Sequence, residues 1–388
     1  MKPKLFAFST LMVLFLIINH TILFAQEDPT LFRLSVTQDL AGNIRGGIQS
    51  GLAQMGLIQL DLTLDTEEED LWRNGTWKLQ IQNTYGHQPT RQLVGDVQVF
   101  SNIEHGNYTY LYQFWYRHDF KRLSLLAGKH DMNSWFFTSN YAGRYINSSF
   151  GIMPVASLNV PVSIFPSTTL GVAGRYVLTP SFTFRGGLYN GFPGDITRTN
   201  FGLDLNISPS AGLFYIGELT WSHSWQELEG TCKLGGFYHS GRFPSVCNPD
   251  AIHQGSSGIY LMADQLLLNG DKESGRLGTF FQVGYSPDPC SLNDFYMAYG
   301  INFSGWGNAS PGNNLGLALA HASTNQSLVA SHPDTYRQCE TAIELTYTHH
   351  LTDQLVLQPD IQYILNPGMK AHHTNCLVGL VRVNWSYN

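Results

Sequence analysis

Three stretches near the C-terminus decide the fold: QCETAIELTYT (Gln338–Thr348), LVLQPDIQY (Leu355–Tyr363) and LVGLVRVNWSY (Leu377–Tyr387). In the first, Ile343, Leu345 and Tyr347 alternate with Glu340, Glu344 and Thr346. In the second, Leu355, Leu357, Ile361 and Tyr363 alternate with Gln358, Asp360 and Gln362. In the third, Leu377, Val381, Val383, Trp385 and Tyr387 lie on one parity, with Arg382, Asn384 and Ser386 among their neighbours. A strand sends successive side chains to opposite faces, so each parity is one face. One face is apolar with aromatic ends and the other is polar. Each run is about ten residues, the length a tilted strand needs to cross a bilayer. A soluble sandwich alternates too, but it rarely ends strand after strand in Tyr or Trp. The pattern predicts an all-β protein, a transmembrane antiparallel β-barrel of about sixteen strands.

Composition agrees. Of 388 residues only 13% are charged, 13% are aromatic and 38 are Gly, which suits a wall facing lipid. A net charge of −7 and the lack of a basic stripe argue against a nucleic-acid partner. Residues 1–25 read as a secretory signal peptide: Lys2 and Lys4, an apolar run from Leu11 to Ile17, and a cleavage point after Ala25. No later stretch approaches ~18 continuous apolar residues, so no helical span is expected. An exported chain of amphipathic strands belongs in the outer membrane of a Gram-negative-type bacterium. Its expected partners are outer-membrane lipid and the barrel-insertion machinery, and both a monomer and a trimer are compatible with the sequence.

Residues 26–55 are expected as an N-terminal periplasmic segment or plug, with a short helix at Gly47–Gly56, and residues 56–388 as the barrel. Short connections (His349–Gln354, Gly305–Gly312, Leu268–Gly275) alternate with long ones (Ala322–Arg337, Ser240–Ser256, Asn190–Gly212). That is the asymmetry of periplasmic turns and external loops. The longest gap, Asp131–Ser167, follows Leu123–His130, the fifth strand of the count. So long a connection in a compact fold calls for a function. Folding into the lumen as a constriction is expected, with an external lid as the alternative. The even residues Tyr108, Tyr110, Tyr112, Phe114 and Tyr116 are expected to face lipid.

Several motifs then stand in order: NYTYLYQFWYRHDF (Asn107–Phe120), LSLLAGKHDMN (Leu123–Asn133), NSSFG (Asn147–Gly151), GEL (Gly217–Leu219), KLGGFYHS (Lys233–Ser240) and the closing block Glu344–Gly368. From about Gly47 to the C-terminus the chain resembles the OprB-type carbohydrate-selective porin family. The resemblance implies a sixteen-stranded outer-membrane barrel for sugar diffusion. Where that family often carries acidic residues in its aromatic strand motif, this chain has Gln113 and Arg117.

A sugar offers hydroxyls and flat C–H faces, so a pore that favours it needs hydrogen-bonding side chains and aromatic rings. Parity nominates Asp61, Asp96, Glu218, Glu340, Glu344 and Asp360 as lumen acids. The matching bases are Lys78, Arg117, Arg122, Arg175, Arg185, Lys233 and Arg382. The amides are Gln80, Gln82, Gln98, Gln113, Gln282, Gln358 and Gln362. Near-balance of charge favours neutral solutes over ions. The pore-lining candidates are Arg117, Arg122, Arg175, Arg185, Glu218, Glu344, Asp360, Gln362 and Arg382 on the wall. Trp135 and Arg144 join them on the long loop, beside Phe136, Phe137 and Tyr145. The bland reading of each is a brace for the wall, with Glu344, Asp360 and Gln362 as partners of Arg382.

No cofactor or metal is expected: adjacent His residues (His349–His350, His372–His373) on a strand point to opposite faces and chelate poorly. The expected function is passive passage of carbohydrate solutes. Its rivals are a general non-selective porin, an outer-membrane barrel enzyme and a soluble sugar-binding β-protein. No nucleophile with a base partner stands out to support the enzyme. Five Cys in an oxidising compartment are an odd number. Strand direction pairs Cys247 with Cys290 and Cys339 with Cys376 as candidate disulfides, leaving Cys232 free.

Overall fold

The computed structural model describes residues 30–197, 199–203, 209–270, 274–306 and 312–387. The expected signal peptide lies outside them. Sixteen strands close into one antiparallel barrel, each paired with its sequence neighbours and the first with the last. They are β1 Thr30–Gly47, β2 Gly51–Asp65, β3 Gly75–Gly86, β4 Tyr108–Asp119, β5 Leu123–His130, β6 Thr169–Thr179, β7 Phe182–Asn190 and β8 Leu213–Trp225. The second half is β9 Leu228–Pro244, β10 Ile252–Asn269, β11 Arg276–Tyr285, β12 Asn293–Ser304, β13 Asn314–Thr324, β14 Cys339–His350, β15 Leu355–Leu365 and β16 Thr374–Tyr387. Among the described residues no helix is long and apolar enough to cross a membrane, as a strand-built wall requires none.

The alternation behaves as read. Leu345, Ile361 and Val381 are exposed on the outer face, while Glu340, Glu344, Asp360 and Gln362 are buried inside. The four longest connections (87–107, 131–168, 191–212 and 325–338) gather at one end, so the opposite end is the periplasmic one.

Three expectations need correction. Residues from Thr30 to Gly47 are no plug but strand β1, which pairs β2 on one side and β16 on the other and closes the barrel. Its outward face is interrupted by Gln38, which hid the period. Gln38 is satisfied there by the Tyr85 hydroxyl and the Met55 carbonyl, each at 2.8 Å. Gly47–Gly56 is no helix: Gly46 and Gly47 take positive φ at the β1–β2 hairpin and Gly51 begins β2.

The second correction is in β4. Gln80 pairs Gln113, but Ile81 pairs Leu111, so Tyr112 is an extra residue. Such a bulge shifts the parity by one. Tyr110 and Tyr112 are therefore buried inside, while Phe114 on the far side of the bulge is exposed outside.

The third concerns the thiols. All five cysteines are free. Cys339 and Cys376 sit on β14 and β16 with β15 between them. Two strand spacings, about 9.5 Å, exceed the ~7 Å reach of a disulfide. The loops carrying Cys247 and Cys290 do touch, the Val246 amide donating to the Pro289 carbonyl at 3.1 Å. The buried Cys290 sulfur instead points at the Gly255 carbonyl, 3.9 Å away.

Candidate functional site

The lumen is narrowed by the segment 131–168, between β5 and β6, which folds inside the barrel. Its apolar residues (Phe136, Phe137, Tyr145, Phe150, Met153 and Val155 among them) form one buried cluster with inward residues of β6–β13, Ala173 and Tyr189 included. Phe137 stacks on Tyr260 with centroids 4.0 Å apart, and Tyr145 packs between Phe150 and Phe280. Burial of these rings supplies the drive. Direction comes from wall carboxylates that accept the loop's backbone amides, since buried N–H groups need partners.

Three strands carry these acceptors. Glu344 takes the amides of Ile146 at 2.6 Å and Asn147 at 3.0 Å. Glu218 takes the Phe137 amide at 3.2 Å and the Tyr260 hydroxyl at 2.9 Å. Asp264 takes the Asn140 amide at 2.8 Å and the Ser139 hydroxyl at 2.5 Å. Lys233 clasps the Thr138 carbonyl and hydroxyl, both at 2.6 Å. Gln282 and Tyr296 donate to the carbonyls of Phe150 and Ser149.

A second segment, 87–107 between β3 and β4, also folds inward, which the sequence reading did not foresee. Thr90–Val94 forms one helical turn closed by Gly95 at φ 81. Glu340 accepts the amides of Val97 and Gln98, both at 2.9 Å, and that of Gly368 at 2.5 Å. The two inner segments join directly, Asn102 to Ile146 and Ser148 to Val99, both at 3.0 Å. Burial pushes Glu104 on this segment up to about 7, against the pull of the Thr90 amide; the nearby Asp96 charge adds to the rise. Burial likewise raises Asp131, at the root of the long loop, to about 6.

Arg382 does not pair with Glu344, Asp360 or Gln362. It makes a two-bond fork with Asp39 of β1, both contacts at 2.8 Å, across the closing seam. Ser101 of the second inner segment donates to the same carboxylate at 2.7 Å. Asp39 was missed because it lay in the supposed plug. Gln362 bridges the two inner segments, accepting from Asn147 at 3.1 Å and donating to the Phe100 carbonyl at 2.8 Å and to Asp360 at 3.0 Å.

The remaining candidates sit around the other side of the lumen. Lys78 pairs Asp61 at 3.1 Å, and Arg117 pairs Asp119 at 3.0 Å. Arg185 lies 3.5 Å from Glu218 and donates to Thr220 at 2.9 Å. Arg175, directly opposite Arg185 across β6–β7, donates to Ser124 at 3.2 Å. Arg122 is exposed in the β4–β5 turn at the periplasmic mouth. On the loop, Arg144 donates to Asn314 at 2.8 Å and lies over the Tyr141 ring; burial lowers its pKa. Phe136, Phe137 and Tyr145 are packed away from any solute, while Trp135 and Tyr141 are only partly buried. Below the loop, a cavity of ~490 Å³ is lined by Asn140, Tyr141, Ser222, Thr231 and Asp264, within the range of small-molecule sites, roughly 300–1,000 Å³. Among the described residues no group of three or more His, Cys, Asp or Glu could hold a metal ion.

A closed sixteen-stranded wall, short turns at one end, and segments folded into a polar lumen define an outer-membrane diffusion porin. The chain belongs to the OprB family of carbohydrate-selective porins, whose family model matches residues 49–387. It is 22% identical to Porin B of Pseudomonas aeruginosa over 405 aligned residues, covering 91% of this chain and 86% of that one. It is likewise 22% identical to the putative porin QuiX of Acinetobacter baylyi, covering 91% and 89%. Among solved structures it matches Pseudomonas putida OprB at high pH with a TM-score of 0.84, 20% identity and coverage of 92% and 94%. Vibrio cholerae OmpT matches at 0.53, with 10% identity and coverage of 92% and 99%. The family and these relatives are channels rather than enzymes.

Proposed function

We propose that this porin passes small carbohydrates down their gradient through the space that the inner segments leave along the β3–β7 wall, without covalent chemistry. The observation that carries this reading is the docking of segment 131–168 by Glu218, Asp264 and Glu344 from three separate strands. A segment held at three points is a fixed aperture, not a lid. The rest of the lumen wall offers amides and charges that can replace a sugar's hydration. The external-lid alternative would need the loop's amides to face water.

Liposome swelling with pentoses, hexoses and disaccharides against size-matched amino acids tests the preference. Sugars entering several-fold faster is the expected result; equal rates would make the chain a general porin. Deleting Asn147–Val160 should raise single-channel conductance. Lipid hydrolysis by the purified protein would favour the enzyme reading and is not expected.

A further inference from the structure

The wall is less balanced than its residue count, because most lumen acids are engaged. Glu340 and Glu344 hold backbone amides of the inner segments. Asp39 holds Arg382, and Asp264 holds Ser139 and Asn140. What remains half-exposed along the open side is mainly cationic.

The imbalance is sharpest at β6–β7. Arg175 and Arg185 are direct cross-strand partners. Like charges so placed repel and destabilise a sheet. One carboxylate serves the cluster, and it is oversubscribed. Glu218 Oε1 lies 3.5 Å from Arg185 and 3.9 Å from Lys233, while its Oε2 takes the Phe137 amide and the Tyr260 hydroxyl. Asp264 also acts on Lys233, but its oxygens are held by the loop. Among the described residues, Arg175 has one hydrogen bond, to Ser124, and is exposed. An Arg pair facing water with one shared, oversubscribed carboxylate presents planar forks that match a second carboxylate bidentately.

We infer that Arg175 and Arg185 form a carboxylate-recognising subsite in the passage, which makes sugar acids such as hexuronates and aldonates preferred solutes over neutral sugars. This rests on the porin reading above. The carboxylate would bridge the two guanidinium groups and relieve their repulsion, while the hydroxyls would reach Ser124, Thr220 and the polar cavity below the loop.

The test uses the full-length porin in planar bilayers and liposomes, with glucuronate and glucose as probes. Glucuronate should reduce the ion current saturably and at lower concentration than glucose. In R175Q/R185Q the half-blocking concentration should rise at least about tenfold, the loss expected from a charge-assisted hydrogen bond. R175K/R185K keeps both charges but loses the forks and should block as weakly as the Gln variant. Wild-type block by glucuronate no stronger than by glucose would overturn the inference, as would unchanged block in the Gln variant. Full block in the Lys variant would also overturn it, because the field alone would then suffice. Heat-modifiable gel mobility checks that each variant has assembled. Failure of glucose to swell wild-type liposomes would instead count against the porin reading, independently of the block.

Discussion

Replacing Glu344 by Ala should loosen the aperture without disturbing the wall. Glu344 is fully buried on the lumen face of β14 and accepts two loop amides at 2.6 and 3.0 Å. A buried amide left without its acceptor costs about 1–3 kcal/mol. Two such amides make about 2–6 kcal/mol of local docking energy. At about 1.4 kcal/mol per factor of ten, the undocked population of the Tyr145–Ser149 stretch should rise by roughly one to four orders of magnitude. Undocking stays local because Glu218 and Asp264 hold the earlier part of the loop. It should nonetheless spread to the second segment through the Asn102–Ile146 and Ser148–Val99 bonds. Gln at the same position retains one carbonyl acceptor and should show roughly half the effect. Single-channel recording should find higher mean conductance and added open-channel noise in the order Ala, Gln, wild type. Amide exchange should quicken at 145–149. A correctly folded Ala variant with unchanged conductance, noise and exchange would refute the anchoring role.

On the lipid face, Leu345→Arg places charge on a side chain that is 46% exposed to the bilayer and should cost roughly 2–4 kcal/mol near the midplane; Gln59→Arg, on the lumen face of β2, should assemble normally, and heat-modifiable gel mobility separates the two. Acid should tighten the second inner segment. Glu104 is raised by burial from 4.5 to about 7, so between those values the docked state binds more protons than the undocked one, and docking weakens as pH rises through that window. Channel noise should therefore grow from pH 5 to pH 8 in the wild type and grow less steeply in Glu104→Gln, where the buried Asp96, raised to about 6, still titrates; a wild-type profile that Glu104→Gln leaves intact would remove Glu104 from the account. Since all five cysteines are free, reduction should leave the intact mass unchanged, and a gain of two hydrogens would reveal a disulfide.

The wall was legible where alternation is uninterrupted, and it failed at two identifiable residues. Gln38 on the lipid face of β1 broke the period, because its amide is satisfied locally by Tyr85 and Met55. Tyr112 carried the correct strand across a bulge that no composition rule marks, so half of the tyrosine face was assigned to the wrong side. Segment 131–168 could be foreseen inside because its length demanded an explanation. Segment 87–107 is shorter, and its Asp96 and Gln98 imitated strand parity; Pro89, Gly95 and Gly106 were the signals against a strand.

The site was legible as a set of residues, not as a division of labour. Parity can place Glu344 and Arg175 on the same face, yet it cannot say that one is buried under a loop and the other meets water. That distinction decides selectivity. A lumen acid that holds backbone amides contributes little field to a passing solute, because its charge is met at short range by fixed donors. A guanidinium with one neutral partner keeps its field. With Glu340 and Glu344 set aside as anchors, Arg382 held by Asp39 and Arg117 by Asp119, the groups left to meet a solute are mainly cationic, and Glu218 is shared between Arg185 and Lys233. The same division links aperture to selectivity. Removing an anchor frees a segment and also removes the charge that partly neutralised its neighbours. Glu218→Gln should thus raise conductance and strengthen anion preference together, since Arg185 and Lys233 both lose their shared carboxylate. Reversal potentials under a potassium chloride gradient measure the second effect and conductance the first. A Glu218→Gln channel that widened without any shift toward chloride would show that the β6–β9 cations do not govern the passage.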